Sequence, residues 1–391
     1  MSRPLRVMID ARMLIGRFGG VNRFVTRLVD ELAKLQDVHV AVLCGEEIYP
    51  PWADRRDIEV VVSSFHRCDR TAARRLWWEE RCLPEYIRRA GVDLFHATWN
   101  TGIPARCPVP SVLTIHDLIP WHGAASVSRL DWQGRCYRHA IRAAVKRASW
   151  VTTVSGYVRD DVIATLKIDP TKVATVPNGV DVPPIDGAGD RRTTPAYALY
   201  VGGHEPRKNL PAVFAAVNCY RQRFGPHLEL RLTGHPATLS DDAKQLCVRL
   251  QDQGCIRFLG EISDGELGEQ YASAGVLLIL SHDEGFGLPV LEAMAYGCPV
   301  VAASNASLPE VVGDAGLLVK ARNPDEVANA MHVVLTKPER RAELIRRGRL
   351  RAESSTWSSV AARMHRGYQA ITSHNGRFVP ASVGGAAGAA V

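Results

Sequence analysis

The 391-residue sequence has few of the features that mark secreted, zinc-binding or membrane-spanning proteins. Its nine cysteines form no CxxC pair and no paired spacing with histidines, so neither a disulfide framework nor a zinc site is indicated. No apolar run approaches the length needed to cross a bilayer, and the stretch MSRPLRVMID passes into a strand pattern without the apolar core of a signal peptide. These absences predict a cytoplasmic protein with reduced thiols.

Charge of one sign is not strongly in excess either. The formal net charge of +7 favours an anionic partner, but it does not distinguish a nucleotide from a membrane surface or a nucleic acid. The chain is too long for one typical core, so its length predicts two domains.

Short β-branched runs alternate with longer amphipathic stretches in both halves of the chain. This alternation predicts an α/β fold with two Rossmann-like, doubly wound parallel sheets, whose ligands bind beyond the carboxyl ends of the strands. Two such domains in sequence are expected to face each other across a cleft. The predicted strands are residues 5–10, 38–44, 58–63, 93–98, 111–117, 151–155 and 173–178, then 196–201, 228–234, 255–260, 275–281, 299–303 and 316–320.

Composition sets the predicted domain boundaries. The stretch PPIDGAGDRRTTP, residues 183–195, is rich in Pro, Gly and Asp. Within it, residues 185–195 are interpreted as a linker between an N-terminal domain at 1–184 and a C-terminal domain at 196–355. The stretch SSTWSSVAARMHRGYQAIT predicts a C-terminal helix at 356–372. The Gly- and Ala-rich residues 373–391 are predicted to be a disordered tail.

The most informative stretch is SHDEGFGLPVLEAMAYGCP, residues 281–299. Pro289 suits the first turn of a helix and Gly297 is a stop signal, so a helix is expected over 289–296. Its first N–H groups form an anion-binding end that suits a diphosphate. Ionised Glu284 and Glu292 only accept hydrogen bonds, so we expect them to hold sugar hydroxyls rather than phosphate.

Two cations follow the first strand of the second domain, in GGHEPRKNLPAVFAAV. Arg207 and Lys208 precede a predicted helix for which Asn209 is the expected cap. Fixed cations beside a helix start are suited to stabilise a departing diphosphate. An ordinary basic loop is the alternative interpretation.

Other candidate residues lie at predicted strand ends. His116 and His96 can each donate a bond to a sugar hydroxyl or transfer a proton near neutral pH. A structural role is the alternative, which we favour more for His96. Gly234 and Ile262 lie in turns that can border a nucleobase. Gly20 belongs to a Gly-Gly turn that either cradles a phosphate or only joins a strand to a helix.

Two helical patterns, RRLWWEERCLPEYIRRA and RLDWQGRCYRHAIRAAVKRAS, combine tryptophan with arginine-rich faces. In the second pattern an apolar stripe leaves Arg135, Arg138, Arg142 and Lys146 on the other side. The two interpretations are a solvated basic face and attraction to anionic lipid at the inner face of the plasma membrane.

With these residues in view, the chain resembles the family 4 glycosyltransferases, retaining enzymes of the two-domain GT-B fold. The resemblance rests on SHDEGFGLPVLEAMAYGCPV, with its two glutamates separated by seven residues, and on GGVNRFV, TIHDLIP, TVSGYVRDDV, VPNGVD, EPRKNL and FLGEISDGELGEQYASA in the family's order. It implies an acceptor-binding first domain, a second domain that binds a nucleoside diphosphate sugar, and no further cofactor. It also implies that the C-terminal helix at 356–372 crosses back to the N-terminal domain.

The resemblance also implies roles for single residues. Glu284 contacts the donor sugar, Glu292 the nucleotide ribose, and His116 the transferred sugar. Lys208 and Arg207 neutralise the diphosphate. It further implies that the backbone of Gly285, Phe286, Gly287 and Leu288 meets sugar hydroxyls and phosphate, and that Gly20 faces the donor phosphates or the acceptor. Gly203, Gly234 and Ile262 complete the candidate donor-binding residues.

There is one departure from the family pattern. Many members carry an arginine directly after the glycine that ends the first strand of the second domain, and the corresponding residue here is Gly203. Arg207 is the candidate replacement for that positive charge.

The resemblance suggests a same-face substitution in which the departing phosphate helps deprotonate the acceptor hydroxyl. No obvious covalent nucleophile occurs in these motifs, and no Asp-x-Asp motif or clustered carboxylate and histidine spacing indicates a metal. We therefore expect metal-independent catalysis.

The expected function is retaining transfer of a hexose to a hydroxyl of a glycan, carried on a lipid, in cell-surface polysaccharide biosynthesis. The wording of TIHDLIP and EPRKNL is similar to polysaccharide mannosyltransferases, so GDP-mannose is the first choice of donor, with dTDP-rhamnose and UDP-glucose open. The alternatives are a sugar-nucleotide epimerase, a glycan phosphorylase, or a non-catalytic nucleotide or nucleic-acid binder. A nucleic-acid partner is not our expectation.

Overall fold

The computed structural model describes residues 3–14, 19–65, 72–122, 132–184, 197–236 and 239–373. The chain divides into two compact units. The first combines Met1–Gly179 with Trp357–Ala390, and the second is Val180–Thr356. The predicted linker at 185–195 and residues 374–391 of the predicted tail lie outside the described residues.

A seven-stranded parallel sheet forms the centre of the first unit, with the strand order β3-β2-β1-β4-β5-β6-β7. Its register places Val7 opposite both Val40 and Leu94. The order reverses between β1 and β4, as in a doubly wound sheet. The strands are β1 (Leu5–Asp10), β2 (Val38–Cys44), β3 (Ile58–Val62), β4 (Leu94–Ala97), β5 (Ser111–Ile115), β6 (Trp150–Thr153) and β7 (Val173–Thr175).

The second unit contains a six-stranded parallel sheet with the order β10-β9-β8-β11-β12-β13. The reversal lies between β8 and β11, whose residues Ala198 and Val276 are paired. The strands are β8 (Tyr197–Tyr200), β9 (Glu229–Thr233), β10 (Ile256–Gly260), β11 (Val276–Ile279), β12 (Val300–Ala303) and β13 (Leu317–Val319).

Helices follow the strands in both units, as the alternating sequence pattern predicts. In the first unit they are α1 (Gly20–Leu32), α2 (Ala72–Arg81), α3 (Leu83–Ala90), α4 (Ile119–His122), α5 (Trp132–Arg147) and α6 (Gly156–Leu166). In the second they are α7 (Leu210–Phe224), α8 (Asp241–Asp252), α9 (Asp264–Ser273), α10 (Leu288–Ala295), α11 (Leu308–Val312), α12 (Pro324–Thr336) and α13 (Pro338–Ser354).

The predicted strands are confirmed, because each run corresponds to an observed strand. Every residue of the central strands β8, β11 and β12 is buried. Parallel strands with both faces covered have continuous apolar sequences, which is why these runs stand out from their neighbours. Among the described helices, none is both long and apolar enough to cross a membrane.

The last helix, α14 (Trp357–Ser373), belongs to the first unit and packs on α1. Its Tyr368 is fully buried, and the phenol oxygen lies 2.7 Å from Nδ1 of His96. A side chain at Gly367 is excluded because its Cβ would overlap the ring of Trp150. Close packing therefore fixes this helix against the first sheet.

Candidate functional site

The predicted carboxylate and cation motifs leave neighbouring strands of the second sheet. Residues 201–209 follow β8, and residues 280–287 follow β11. These two strands flank the point where the strand order reverses. In open parallel sheets this crevice, beyond the carboxyl ends of the strands, is where ligands bind.

Glu284 forms the centre of the site and is 92 % buried, with 8 % of its surface exposed. Its Oε1 accepts hydrogen bonds from Lys208 Nζ and Ser281 Oγ, both at 2.7 Å, and Arg207 Nη1 lies 3.3 Å from Oε2. Burial by itself raises the pKa of Glu284, but the charges of Lys208 and Arg207 and the hydrogen bonds outweigh it and lower that pKa below its usual value. Glu284 is therefore ionised at neutral pH.

Backbone and side-chain bonds hold the two loops together. The His282 N–H donates to the Arg207 carbonyl at 2.7 Å, and Asn209 Nδ2 donates to the Leu280 carbonyl at 2.9 Å. The expectation that the Asn209 side chain caps α7 is wrong, since it makes no capping bond. Its backbone is left-handed (φ 55°) rather than extended, so the amide reaches the end of β11 instead of the first helical turn.

Gly203 stands where the family pattern has an arginine. The space that its side chain would need is filled by the carboxylate of Glu205. A Cβ there would lie 2.6 Å from a carboxylate oxygen of Glu205, and Tyr200 donates its hydroxyl proton to the Gly203 carbonyl at 2.5 Å. An arginine at this position would have to displace the Glu205 carboxylate. Arg207 and Lys208 both contact Glu284. Arg207 can therefore replace the positive charge that other members carry at the position of Gly203.

The helix that carries the second glutamate begins one residue earlier than predicted. Gly287 takes the N-cap position of α10 with φ 99°, and its Cβ would lie 2.9 Å from Leu308 Cδ2, so only glycine fits. Phe286 and Leu288 are buried. Gly285, between Glu284 and Phe286, has no side chain, so a ligand can approach its backbone closely.

Glu292 is as buried as Glu284 but has a neutral partner. Its Oε2 accepts a hydrogen bond from the Tyr271 hydroxyl at 2.9 Å. Tyr271 lies on α9 and was not among the predicted site residues, although it is part of the motif FLGEISDGELGEQYASA. The phenol therefore orients the carboxylate that the family resemblance assigns to the ribose.

Gly234 and Ile262 lie at the carboxyl ends of the adjacent strands β9 and β10. The Gly234 N–H donates to the Gly260 carbonyl at 2.9 Å, and its φ of 89° favours glycine. A Cβ at Gly234 would lie 2.9 Å from the His204 ring, whose Nε2 donates to the Thr233 carbonyl at 2.8 Å. His204 is thus a further residue of this edge that sequence reasoning missed.

His116 lies just beyond β5 in the first unit and is held by two bonds. Its Nε2 donates to the Thr98 carbonyl at 2.9 Å, and its backbone N–H donates to Asn100 Oδ1 at 3.0 Å. A carbonyl only accepts, so Nε2 carries the proton and Nδ1 carries the lone pair. The ring therefore offers Nδ1 to a hydroxyl as an acceptor and not as the donor that the sequence suggested.

Burial lowers the pKa of His116 to about 4, against the weaker opposing effect of the Thr98 bond. His116 is therefore a neutral imidazole near neutral pH, and the expectation that it exchanges a proton there is wrong. The reason is desolvation, which penalises the charged form.

His96 has a structural role, the alternative that we favoured for it. It is fully buried, and its two ring nitrogens lie 2.7 Å from the hydroxyls of Tyr368 and Thr114. Burial and the nearby His116 lower its pKa to about 3. Gly20, the remaining candidate of the first unit, is the exposed first residue of α1.

Comparison with known sequences matches two parts of the chain that meet at residue 183, and each part contains strands of one of the two predicted sets. Residues 18–183 match the model of Glycosyltransferase Family 4, and residues 183–351 match Glycosyl transferases group 1. The D-inositol 3-phosphate glycosyltransferase of Saccharomonospora viridis is 31% identical over 293 residues, which cover 68% of this chain and 67% of the relative. The chain belongs to glycosyltransferase family 4.

This family 4 chain is also 35% identical to O-antigen chain mannosyltransferase B of Escherichia coli over 175 residues, which cover 45% of this chain and 46% of that relative. The chain thus spans about half the length of that protein. Among solved structures, sucrose-phosphate synthase from Thermosynechococcus elongatus superposes with a TM-score of 0.74 at 19% identity, covering 95% of this chain and all of that one. The predicted GT-B fold is confirmed.

A metal site is not apparent in the part of the chain that the structure describes, where no three His, Cys, Asp or Glu side chains group together as metal ligands.

Proposed function

We propose that this protein is a retaining glycosyltransferase that moves a hexose from a nucleoside diphosphate sugar to a hydroxyl of a glycan. The observation that carries the proposal is the contact of Glu284 with Lys208 and Arg207 at the reversal point of the second sheet, in a chain of family 4. An ionised acceptor beside two cations suits a ligand that has both hydroxyls and a diphosphate.

The charges assign a part of the donor to each residue. A diphosphate competes with Glu284 for Lys208 and Arg207, and Glu284 then accepts hydrogen bonds from the sugar. Negative charge grows on the leaving phosphate as the glycosidic bond breaks, so cations already in place stabilise the transition state more than the ground state. The departing phosphate takes the proton of the acceptor hydroxyl while the new bond to the sugar carbon forms on the same face.

Further substrate contacts are proposed for the remaining residues. Glu292, held by Tyr271, accepts hydrogen bonds from the ribose, and neutral His116 accepts one from a hydroxyl of the transferred sugar. Gly20 and Gly203 contribute backbone contacts to the donor, while Gly234 and Ile262 border its base. This assigns most of the donor contacts to the second unit, with Gly20 and His116 of the first unit also meeting the donor, and it assigns acceptor binding to the first unit, without a metal or another cofactor.

GDP-mannose is the proposed donor, since the Escherichia coli relative is named as a mannosyltransferase and the EPRKNL motif holds the cations of the site. The test is a thermal-shift series with GDP-mannose, UDP-glucose and dTDP-rhamnose, using wild type and Glu284→Ala. We expect GDP-mannose to raise the wild-type melting temperature most. Glu269→Ala, at an exposed glutamate of the same unit, is the matched control. Equal shifts with all three donors, or with none, would contradict this choice of donor.

We further propose that the acceptor is lipid-linked, and that the enzyme is cytoplasmic and contacts the inner face of the plasma membrane peripherally. The predicted apolar stripe of α5 is buried at Ile141 and Ala144, whereas Arg142 and Lys146 are exposed. A cavity of about 490 Å³ beside them is lined by Arg142, Lys146, Lys167 and Lys172, with Asp169 as the lone carboxylate. This excess of cations suits anionic lipid headgroups.

A further inference from the structure

The loop between β12 and α11 bonds to the loop that carries Glu284. Asn305 Nδ2 donates to the carbonyls of Ser281 and His282, at 3.1 and 2.6 Å. Ser307 Oγ lies 2.8 Å from the Glu284 carbonyl and 2.9 Å from the Phe286 carbonyl. Asn305 and Ser307, here called the brace, thus contact four carbonyls within six residues.

Ser307 is an unusual member of this pair. It occupies the N-cap position of α11, where a serine hydroxyl ordinarily accepts a bond from the first turn, yet it makes no capping bond. The residue is fully buried, and its single proton is shared between two carbonyls. Its hydroxyl therefore serves the Glu284 loop rather than its own helix.

Bonds to these carbonyls determine which way the peptide N–H groups point. In a trans peptide the carbonyl and the following N–H lie on opposite sides, so holding the Phe286 carbonyl also orients the Gly287 N–H. The Ser281 peptide illustrates the effect, because its carbonyl faces Asn305 while the next N–H, of His282, donates to Arg207 on the other side. The brace thus orients the backbone that joins the carboxylate to α10.

We propose that Asn305 and Ser307 are positioning residues for donor binding, which hold the backbone of residues 281–287 in the orientation that meets the nucleotide sugar. This inference rests on the proposed function. Neither residue needs to touch the donor, since each acts through hydrogen bonds to backbone carbonyls of the loop. Leu308, packed 2.9 Å from the Cβ position of Gly287, closes the same side.

The test compares Ser307→Ala with Ser304→Ala, the same substitution at an exposed position of the same loop. Ser307→Ala leaves two carbonyls without their donor, so we expect the KM for the donor to rise on the order of 10-fold while the KM for the acceptor is unchanged. Ser307→Thr keeps the hydroxyl and should recover most of the loss. Asn305→Asp, equal in size but without the amide protons, should raise the donor KM in the same direction.

Amide hydrogen exchange of the ligand-free protein supplies a readout that does not depend on the donor. We expect faster exchange within residues 282–288 in Ser307→Ala, with the strands of the unit exchanging as in wild type. An unchanged donor KM together with unchanged exchange in this segment would overturn the inference. If wild type bound no nucleotide sugar, the proposed function would fail, while exchange in the segment would still decide whether the brace orders it.

Discussion

Buried Glu284 in the second unit and the buried histidines His96 and His116 in the first unit respond to burial in opposite ways. In the second unit, Lys208 and Arg207 keep buried Glu284 charged and lower its pKa. In the first unit, burial keeps His96 and His116 neutral, with pKa values of about 3 and 4. Burial removes charge unless an opposite charge is buried with it. Glu284 with its two cations therefore suits a diphosphate sugar, and neutral His116 suits an uncharged hydroxyl. The contrast is between these residues and not between whole edges, since Asp10 at the end of β1 forms a buried ion pair with Arg12 at 2.7 Å.

The largest expected effect comes from removing the cation closest to Glu284. Lys208→Ala should lower kcat on the order of 10²-fold or more, because developing charge on the leaving group loses its partner. Release of nucleoside diphosphate measures turnover, and Lys244→Ala, at an exposed lysine of the same unit, is the control. Unchanged turnover in a folded Lys208→Ala variant would contradict a role of Lys208 in stabilising the leaving group, and with it the contrast between charged Glu284 and neutral His116.

The neutral state of His116 has a consequence for stability. The unfolded histidine takes up a proton below about pH 6.5, whereas the folded one does so only near pH 4, so acidification within that window favours unfolding. At about pH 5 this amounts to about 2 kcal/mol of lost stability relative to neutral pH.

Urea unfolding at the two pH values, on wild type and His116→Gln, measures this effect. The variant should lose less stability on acidification than wild type. His227→Gln removes an exposed histidine and should leave the pH dependence as it is. An equal pH dependence in wild type and His116→Gln would show that His116 is not held neutral.

Arg207 tests whether a second cation replaces the missing arginine. Arg207→Ala should lower kcat roughly 10-fold, less than Lys208→Ala, since its 3.3 Å contact with Glu284 is longer than that of lysine. Gly203→Arg in the Arg207→Ala background should restore part of the rate, because the obstacle is the movable end of Glu205. No recovery in a folded double variant would argue against charge replacement.

The smallest expected effect concerns the basic face of α5. Lys146→Ala should weaken binding to phosphatidylglycerol vesicles about fivefold, corresponding to about 1 kcal/mol per surface cation. Sedimentation with anionic and with neutral vesicles measures the difference, and Lys244→Ala is again the control. Equal binding to both vesicle types would leave α5 as a solvated basic face.

The sequence was sufficient to predict the strands and the charged group. The strands are apolar runs bounded by turns, and Glu284, Arg207 and Lys208 each lie in the loop that follows such a run. Strands β8 and β11 are neighbours, so the short motifs that follow them converge at one edge.

Other members of the site depend on contacts that local patterns do not contain. Ser307 has the sequence context of a helix cap, and Asn209 that of a cap for α7, but tertiary bonds to the Glu284 loop and to β11 recruit both side chains. Tyr271 and His204 likewise belong to the site because of contacts with neighbouring elements, Tyr271 through its bond to Glu292 and His204 through its contact with Gly234. The neutral state of His116 follows from burial that the strand pattern alone could not quantify.

The most direct test of the central claim is product analysis after incubating wild type and Glu284→Gln with GDP-mannose and a lipid-linked glycan fraction. The account predicts that wild type releases GDP and extends the glycan by one mannose with the anomeric configuration of the donor, and that Glu284→Gln does so far more slowly. A changed sugar still attached to its nucleotide, a free sugar phosphate, or equal rates for the two proteins would contradict it.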